Sequence, residues 1–228
     1  VQANQFLVCD ANHAALIDPG GDMTYTRLFM NVGKYVSVKN LDMIVASHQD
    51  PDIVASLSRW LTATQAKVVV PALWERFIPH FTRPGKTENR TVAIPDSGMI
   101  LPMGNSHIKA LPAHFLHAEG NFQFYDPISK ILFSGDLGAN LGPMESLDKP
   151  ITSLSEVLPY MDGFHKRYMN ANKVCRFWAN MVRQLDISMI VPQHGRSFEG
   201  SAIPELISYI ENLQCGVDLI SQDDYAIP

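Results

Sequence analysis

Four short apolar runs in this chain each give way to a histidine or an aspartate. Met43-Ile44-Val45-Ala46 leads to Ser47-His48, Ile131-Leu132-Phe133-Ser134 to Gly135-Asp136, and Met189-Ile190-Val191 to Pro192-Gln193-His194. The run over residues 108–111 reaches His117 after a short gap. Short apolar runs rich in β-branched residues read as buried strands. In a layered α/β domain the loops leaving such strands converge on one rim, where ligands bind. A polar residue delivered by four separate strand ends predicts a single polar site.

The remaining punctuation gives the rest of the layout. Further strands are expected over residues 5–9, 14–17, 67–70, 91–94, 99–102 and 121–125, the second running into the turn Asp18-Pro19-Gly20-Gly21. Ile53, Leu57, Trp60 and Leu61 recur at helical spacing after Asp52, and a carboxylate is favoured at a helix start. A short helix is expected over residues 72–77 and a polar loop over 83–89. A helical stretch over 153–185 should break near Pro159 and Asp162-Gly163, and a closing helix should follow Pro204. No repeat or low-complexity linker divides the chain, so residues 1–228 read as a single α/β domain.

Charge and cysteine usage narrow the function. A net charge of −5, with no basic run longer than Lys166-Arg167, excludes a nucleic-acid binder, which needs a basic face. Cys9, Cys175 and Cys215 form no CxxC or Cys/His cluster and read as free thiols in a reducing compartment. No apolar run is long enough for a membrane span, and the first residues lack the basic and apolar regions of a signal peptide. The expectation is cytoplasmic, with no membrane partner.

His48-Gln49-Asp50-Pro51-Asp52 is the strongest local signal. Three candidate ligands at every second position face one way if the loop is extended, and Pro51 pushes Asp50 towards that conformation. The competing reading is a helix N-terminus, with an aspartate capping and His48 incidental. The distant partners decide between them. His48-x-Asp50-x-Asp52, then His117, then Asp136 after 18 intervening residues and His194 after 57 more, resembles the metallo-β-lactamase superfamily. More closely it is similar to the di-iron core of flavodiiron proteins. Leu16-Ile17-Asp18-Pro19-Gly20-Gly21 resembles that superfamily's strand and glycine turn, His117-Ala118-Glu119-Gly120 its His-x-x-Gly loop, and Pro192-Gln193-His194-Gly195 its last histidine loop. Leu132-Phe133-Ser134-Gly135-Asp136 resembles the strand that delivers a bridging aspartate.

The resemblance implies an αββα sandwich. His48, Asp50 and His117 would hold one metal, Asp52 and His194 a second, and Asp136 would bridge. Two departures from the superfamily's His-x-His-x-Asp-His pattern matter: its second histidine is Asp50 here and its last is Ile53. Three carboxylates harden the site and suit iron, with manganese or zinc as substitutes. They leave a charge of +1 with two ferrous ions and +3 with two ferric ions. Ile53 offers no donor and would leave the second metal an open position with apolar surface beside it, favouring a small neutral ligand such as O2 or NO; alternatively Ile53 packs at the start of its helix. His114 competes with His117 on count alone, but the Gly120 loop selects His117. His114 is then a hydrogen-bonding or proton-carrying partner behind the ligands, or a structural histidine. Asp18 should order the turn beneath the site. His165 has no evident partner, and Phe164, Tyr168, Phe177 and Trp178 read as core.

The chain ends 34 residues after His194 without a phosphate loop for a flavin, so no flavin is expected in it. The resemblance therefore implies an O2-binding di-iron sensor or carrier, similar to stand-alone di-iron proteins of bacterial chemotaxis and signalling, with a signalling protein as partner. A homodimer is left open. Two alternatives share the same residues. One is a hydrolase in which a metal-bridging hydroxide attacks an ester, phosphodiester or lactam; the other is an O2 or NO reductase fed by a separate flavoprotein or rubredoxin.

Overall fold

The computed structural model describes residues 2–142 and 148–227. Two sheets face one another. The first carries β1 (Phe6–Asp10), β2 (His13–Ile17), β3 (Leu41–Val45), β4 (Lys67–Pro71) and β5 (Thr91–Ile94) in that order, β2 to β5 being parallel. The second runs β11 (Phe198–Glu199), β10 (Met189–Pro192), β9 (Ile131–Gly135), β8 (Phe122–Asp126), β7 (Ser106–Pro112) and β6 (Met99–Met103); only its β9–β10 pair is parallel.

Side-chain alternation decides which core each residue joins. Val45, Val69 and Ile17 point between the sheets and meet Phe122, Phe124 and Leu101, whereas Leu16, Ile44, Val68 and Val70 point outward. That outer face is covered by α1 (Tyr25–Val32), α2 (Pro51–Val54) and α3 (Leu57–Ala63), with α4 (Ala72–Glu75) following β4. On the other side Leu132 and Ile190 meet α5 (Leu158–Tyr168), α6 (Asn172–Val182) and α7 (Ala202–Asn212). Strands buried on both faces explain the unbroken apolar runs. The result is the metallo-β-lactamase-like αββα sandwich. No helix of the described residues is long and apolar enough to cross a membrane.

Several elements depart from expectation. The helix expected from Asp52 is two pieces, because Ser56 turns its hydroxyl and amide to the Pro19 and Gly20 carbonyls of the neighbouring turn, at 2.9 and 3.1 Å. The stretch 153–185 does not break at Asp162-Gly163. It does break near Pro159, where a 3-10 turn over Leu154–Glu156 ends at Val157 just before α5. Exposed Gly163 faces open space inside α5, and a second break falls between α5 and α6. Pro159 sits in the first turn of α5, where its missing N–H is tolerated. The closing helix starts before Pro204 for the same reason. Helix α1 was not expected, although Tyr25, Leu28, Phe29 and Val32 pack together on the outer core.

Candidate metal centre

The six side chains meet at one rim of the sandwich. His48 follows β3, Asp136 follows β9, His194 follows β10, and His117 lies in the β7–β8 connection. Phe122 donates its amide to the Ser47 carbonyl at 3.0 Å, and Gln193 to that of Gly135 at 2.7 Å. The first bond ties the loops of the two sheets together, and the second holds the loops after β9 and β10 side by side. Gly195, with φ +87°, packs where any Cβ would collide with the Asn140 carbonyl, so only glycine brings the His194 loop this close.

The pentapeptide is not extended throughout. Asp50 is extended, with ψ 146°, as its position before Pro51 requires, but Pro51 then starts α2 and Asp52 is helical. Asp50 stands at the helix N-terminus without capping it. Its carboxylate turns instead to His48 Nε2 at 3.6 Å and His117 Nε2 at 3.5 Å. The helical turn sends Asp52 the other way, to His194 Nε2 at 3.2 Å.

Asp136 stands between the two groups. Its Oδ2 lies 3.0 Å from His117 Nε2 and 3.9 Å from His48 Nε2; its Oδ1 lies 3.7 Å from His194 Nε2. One donor atom each from His48, Asp50, His117 and Asp136 lies within 4.8 Å of all the others, close enough to surround a metal ion. Two buried atoms of the site, His48 Nε2 and Asp136 Oδ1, have no hydrogen-bond partner among the described residues. Leaving such atoms unpaired costs about 1–3 kcal/mol each, so a cation fits the site chemically.

The histidines are aimed from behind. Ser47 Oγ lies 3.0 Å from His48 Nδ1, and the Ser47 amide donates to Asp18 Oδ1 at 2.9 Å. His194 Nδ1 donates to the Gln2 carbonyl at 2.6 Å, so its Nε2 lone pair faces the cluster. Burial pushes the Asp18 carboxyl up to about 6, against the Ser47 bonds and the His48 charge. Burial alone would raise Asp136, but the His117 bond and the three histidines together hold it below the ordinary carboxylate range. His48 lies above its ordinary value because Asp50 and Asp136 outweigh its burial.

Other expected residues are placed differently. His114 is turned away from the cluster: its Nε2 donates to the Asp96 carbonyl at 2.8 Å and it bonds none of the six. Ile53 is fully buried in the outer core with Leu16 and Trp60, so it packs beneath α2 and contributes no apolar wall to an open position. Phe164 and Tyr168 are not both core. They stack on each other, Tyr168 is half exposed, and its ring centroid lies 5.7 Å from that of His117. His165 is a buried support: Nδ1 donates to the Met161 carbonyl at 2.8 Å and Nε2 accepts from the Gly138 amide at 2.9 Å, two residues beyond Asp136. Gln2, Asn4, Ser47 and Asn140 were missed altogether. Gln2 acts through its carbonyl, Asn4 Nδ2 donates to the Pro192 and Gly195 carbonyls at 2.9 Å each, and Asn140 Oδ1 accepts from the Arg196 amide at 3.1 Å; only Ser47's place beside His48 could have drawn notice.

Comparison with known proteins agrees with this fold. The pattern of the ODP family beta lactamases matches residues 1–195. The chain is similar to the chemotaxis sensor ODP, solved as a peroxy diiron species: 36% identity, TM-score 0.89, covering 99% of this chain and 92% of that one. An apo state of that sensor from T. denticola matches at the same identity and TM-score over 97% and 89%. The rubredoxin oxygen:oxidoreductase of Desulfovibrio gigas shares the fold, at 17% identity and TM-score 0.75 over 92% and 53%. An uncharacterized Methanocaldococcus jannaschii protein is 26% identical over 84% of this chain. The chain spans 48% of that relative's length and 22% of a Synechocystis diflavin flavoprotein's. By sequence pattern and by structure, the chain belongs to the ODP family beta lactamases.

Proposed function

We propose that this protein binds O2 at a non-haem di-iron centre and acts as an oxygen sensor in signalling. The observation that carries the reading is the Asp136 carboxylate, which turns one oxygen towards His48 and His117 and the other towards His194. We assign His48, Asp50 and His117 to one iron, Asp52 and His194 to the other, and Asp136 to both. An iron pair supplies the reversible electron donation that O2 capture requires. The protein's own part is orientation and charge. The Gln2 carbonyl and the Ser47 hydroxyl hold His194 and His48 so that each Nε2 faces inward. Three carboxylates offset most of the cations' charge and favour hard ions. Similarity to a chemotaxis sensor supports O2 as the ligand and a signalling protein as the partner. Free thiols at Cys9, Cys175 and Cys215 support a reducing, cytoplasmic setting.

Metal analysis joined to an anaerobic-to-aerobic optical titration tests the reading. Two irons per chain and a visible band that grows on O2 exposure are expected. Zinc alone with turnover of a chromogenic ester would replace it with a hydrolase; rapid O2 consumption on adding NADH and a flavin reductase would replace it with a reductase.

A further inference from the structure

Away from the metal centre, two thiols face each other. Cys175 lies on α6 and Cys215 in the segment after α7; both are fully buried, and their sulfurs are 3.8 Å apart although the residues are separated by 40 positions. A disulfide holds its sulfurs at about 2.05 Å, so closure asks for a shift of about 1.8 Å, which rotation about the two Cα–Cβ bonds can supply. In a reducing compartment such a pair stays as thiols, and the disulfides that do form there are usually transient and redox-sensing.

Burial does not seal the pair off. Cys215 lies just beneath the surface, because its neighbours Gln214, Val217 and Asp218 are exposed. Hydrogen bonds fasten this segment to the start of α6: the Asn172 amide donates to Asp218 Oδ2 at 2.6 Å, and the Val217 amide to the Asn170 carbonyl at 2.8 Å. A short surface segment held in this way opens at a smaller cost than the whole fold, so a molecule the size of peroxide gains access. The two sulfurs are also unlike. The Cys175 S–H donates to Cys215 Sγ, and that bond holds the Cys215 thiol below its ordinary value in spite of burial. Cys215 is therefore the better nucleophile of the two.

We propose that Cys175 and Cys215 are a redox pair that a peroxide closes to an intramolecular disulfide, clamping the segment after α7 onto α6. Cys215 attacks one peroxide oxygen; the O–O bond breaks, leaving a sulfenic acid and one water. Cys175 then attacks that sulfur, the S–S bond forms, the S–O bond breaks and a second water departs. The two thiols give up two electrons and two protons, and hydrogen peroxide is reduced to water.

The pair goes beyond O2 binding and uses none of the six metal ligands, so the metal-free full chain tests it without iron consuming the peroxide. Cys9 is exposed and would react by itself, so the chain carries Cys9→Ser. After equimolar hydrogen peroxide, the intact mass should fall by about 2 Da, peptide mapping should link Cys175 to Cys215, and dithiothreitol should restore the mass. With Cys175→Ala added, the fall should give way to oxygen addition on Cys215; Cys215→Ala should also abolish the fall and serves if the first variant loses its fold. In the oxidised chain the Asn172 and Val217 amides should exchange hydrogen about 10-fold more slowly. An unchanged mass, oxygen addition instead of the 2 Da fall while both cysteines are present, a link between chains, or unaltered exchange would overturn the proposal.

Discussion

On one side of Asp136, the His48 side chain is 1% exposed, backed by Ser47 and Asp18, and joined by His117 and Asp50. On the other, Asp52 is 47% exposed, with His194 Nε2 and the Gln193 side-chain amide beside its carboxylate, and His194 is held by the carbonyl of Gln2 near the chain start. The first side therefore offers three donors beside Asp136 in a mostly buried setting, and the second offers two in a more open one. A metal on the second side keeps more of its coordination open to solvent or to a small ligand. The difference comes from one backbone event. Pro51 begins a helix between Asp50 and Asp52, so two aspartates two residues apart serve opposite sides.

The largest effect should come from the residue both sides share. Asp136→Ala is expected to lose both metals; two ions at full occupancy by metal analysis would show that the two sides are independent. His194→Ala should lose only the more open position, reducing the count from two metals per chain to one. Loss of both, or of neither, would break the asymmetry.

Two smaller effects sharpen the comparison by testing what lies behind each side. Burial pushes His165, which supports the loop beyond Asp136, down to about 4 from its ordinary 6.5. The unfolded chain then takes up this proton first, so metal-free protein should lose stability as pH falls from about 6.5 towards 4. The loss is about 3 kcal/mol. Urea unfolding at the two ends of that window should show it, and His165→Gln should flatten it. Behind the other side, Ile53→Val should cost about 1 kcal/mol of stability and leave the metal count at two, because Ile53 packs in the outer core. A changed metal count would mean that Ile53 faces the site after all.

What the sequence made legible follows from how each feature is encoded. The strands read well because strands buried on both faces are continuous apolar runs, as in Val68-Val69-Val70. The six polar residues were legible because each follows such a run closely or sits in a short motif. The supports were not. The Gln2 carbonyl behind His194 and the Gly138 amide behind His165 are backbone groups, and a backbone group has no signature in residue type. The break between α2 and α3 was hidden for a similar reason: Ser56 looks helical until the turn at Pro19-Gly20 lies beside it. His114 and His117 share one short loop; residue count alone did not separate them, the Gly120 motif selected His117, and the fold turns His114 to Asp96 and His117 to Asp136.

The account rests on one carboxylate serving two ions. Crystals grown anaerobically with ferrous iron, measured at the iron absorption edge, should show two anomalous peaks about 3.5–4 Å apart, one on either side of Asp136. A single peak, or an Asp136 that touches neither ion, would contradict it.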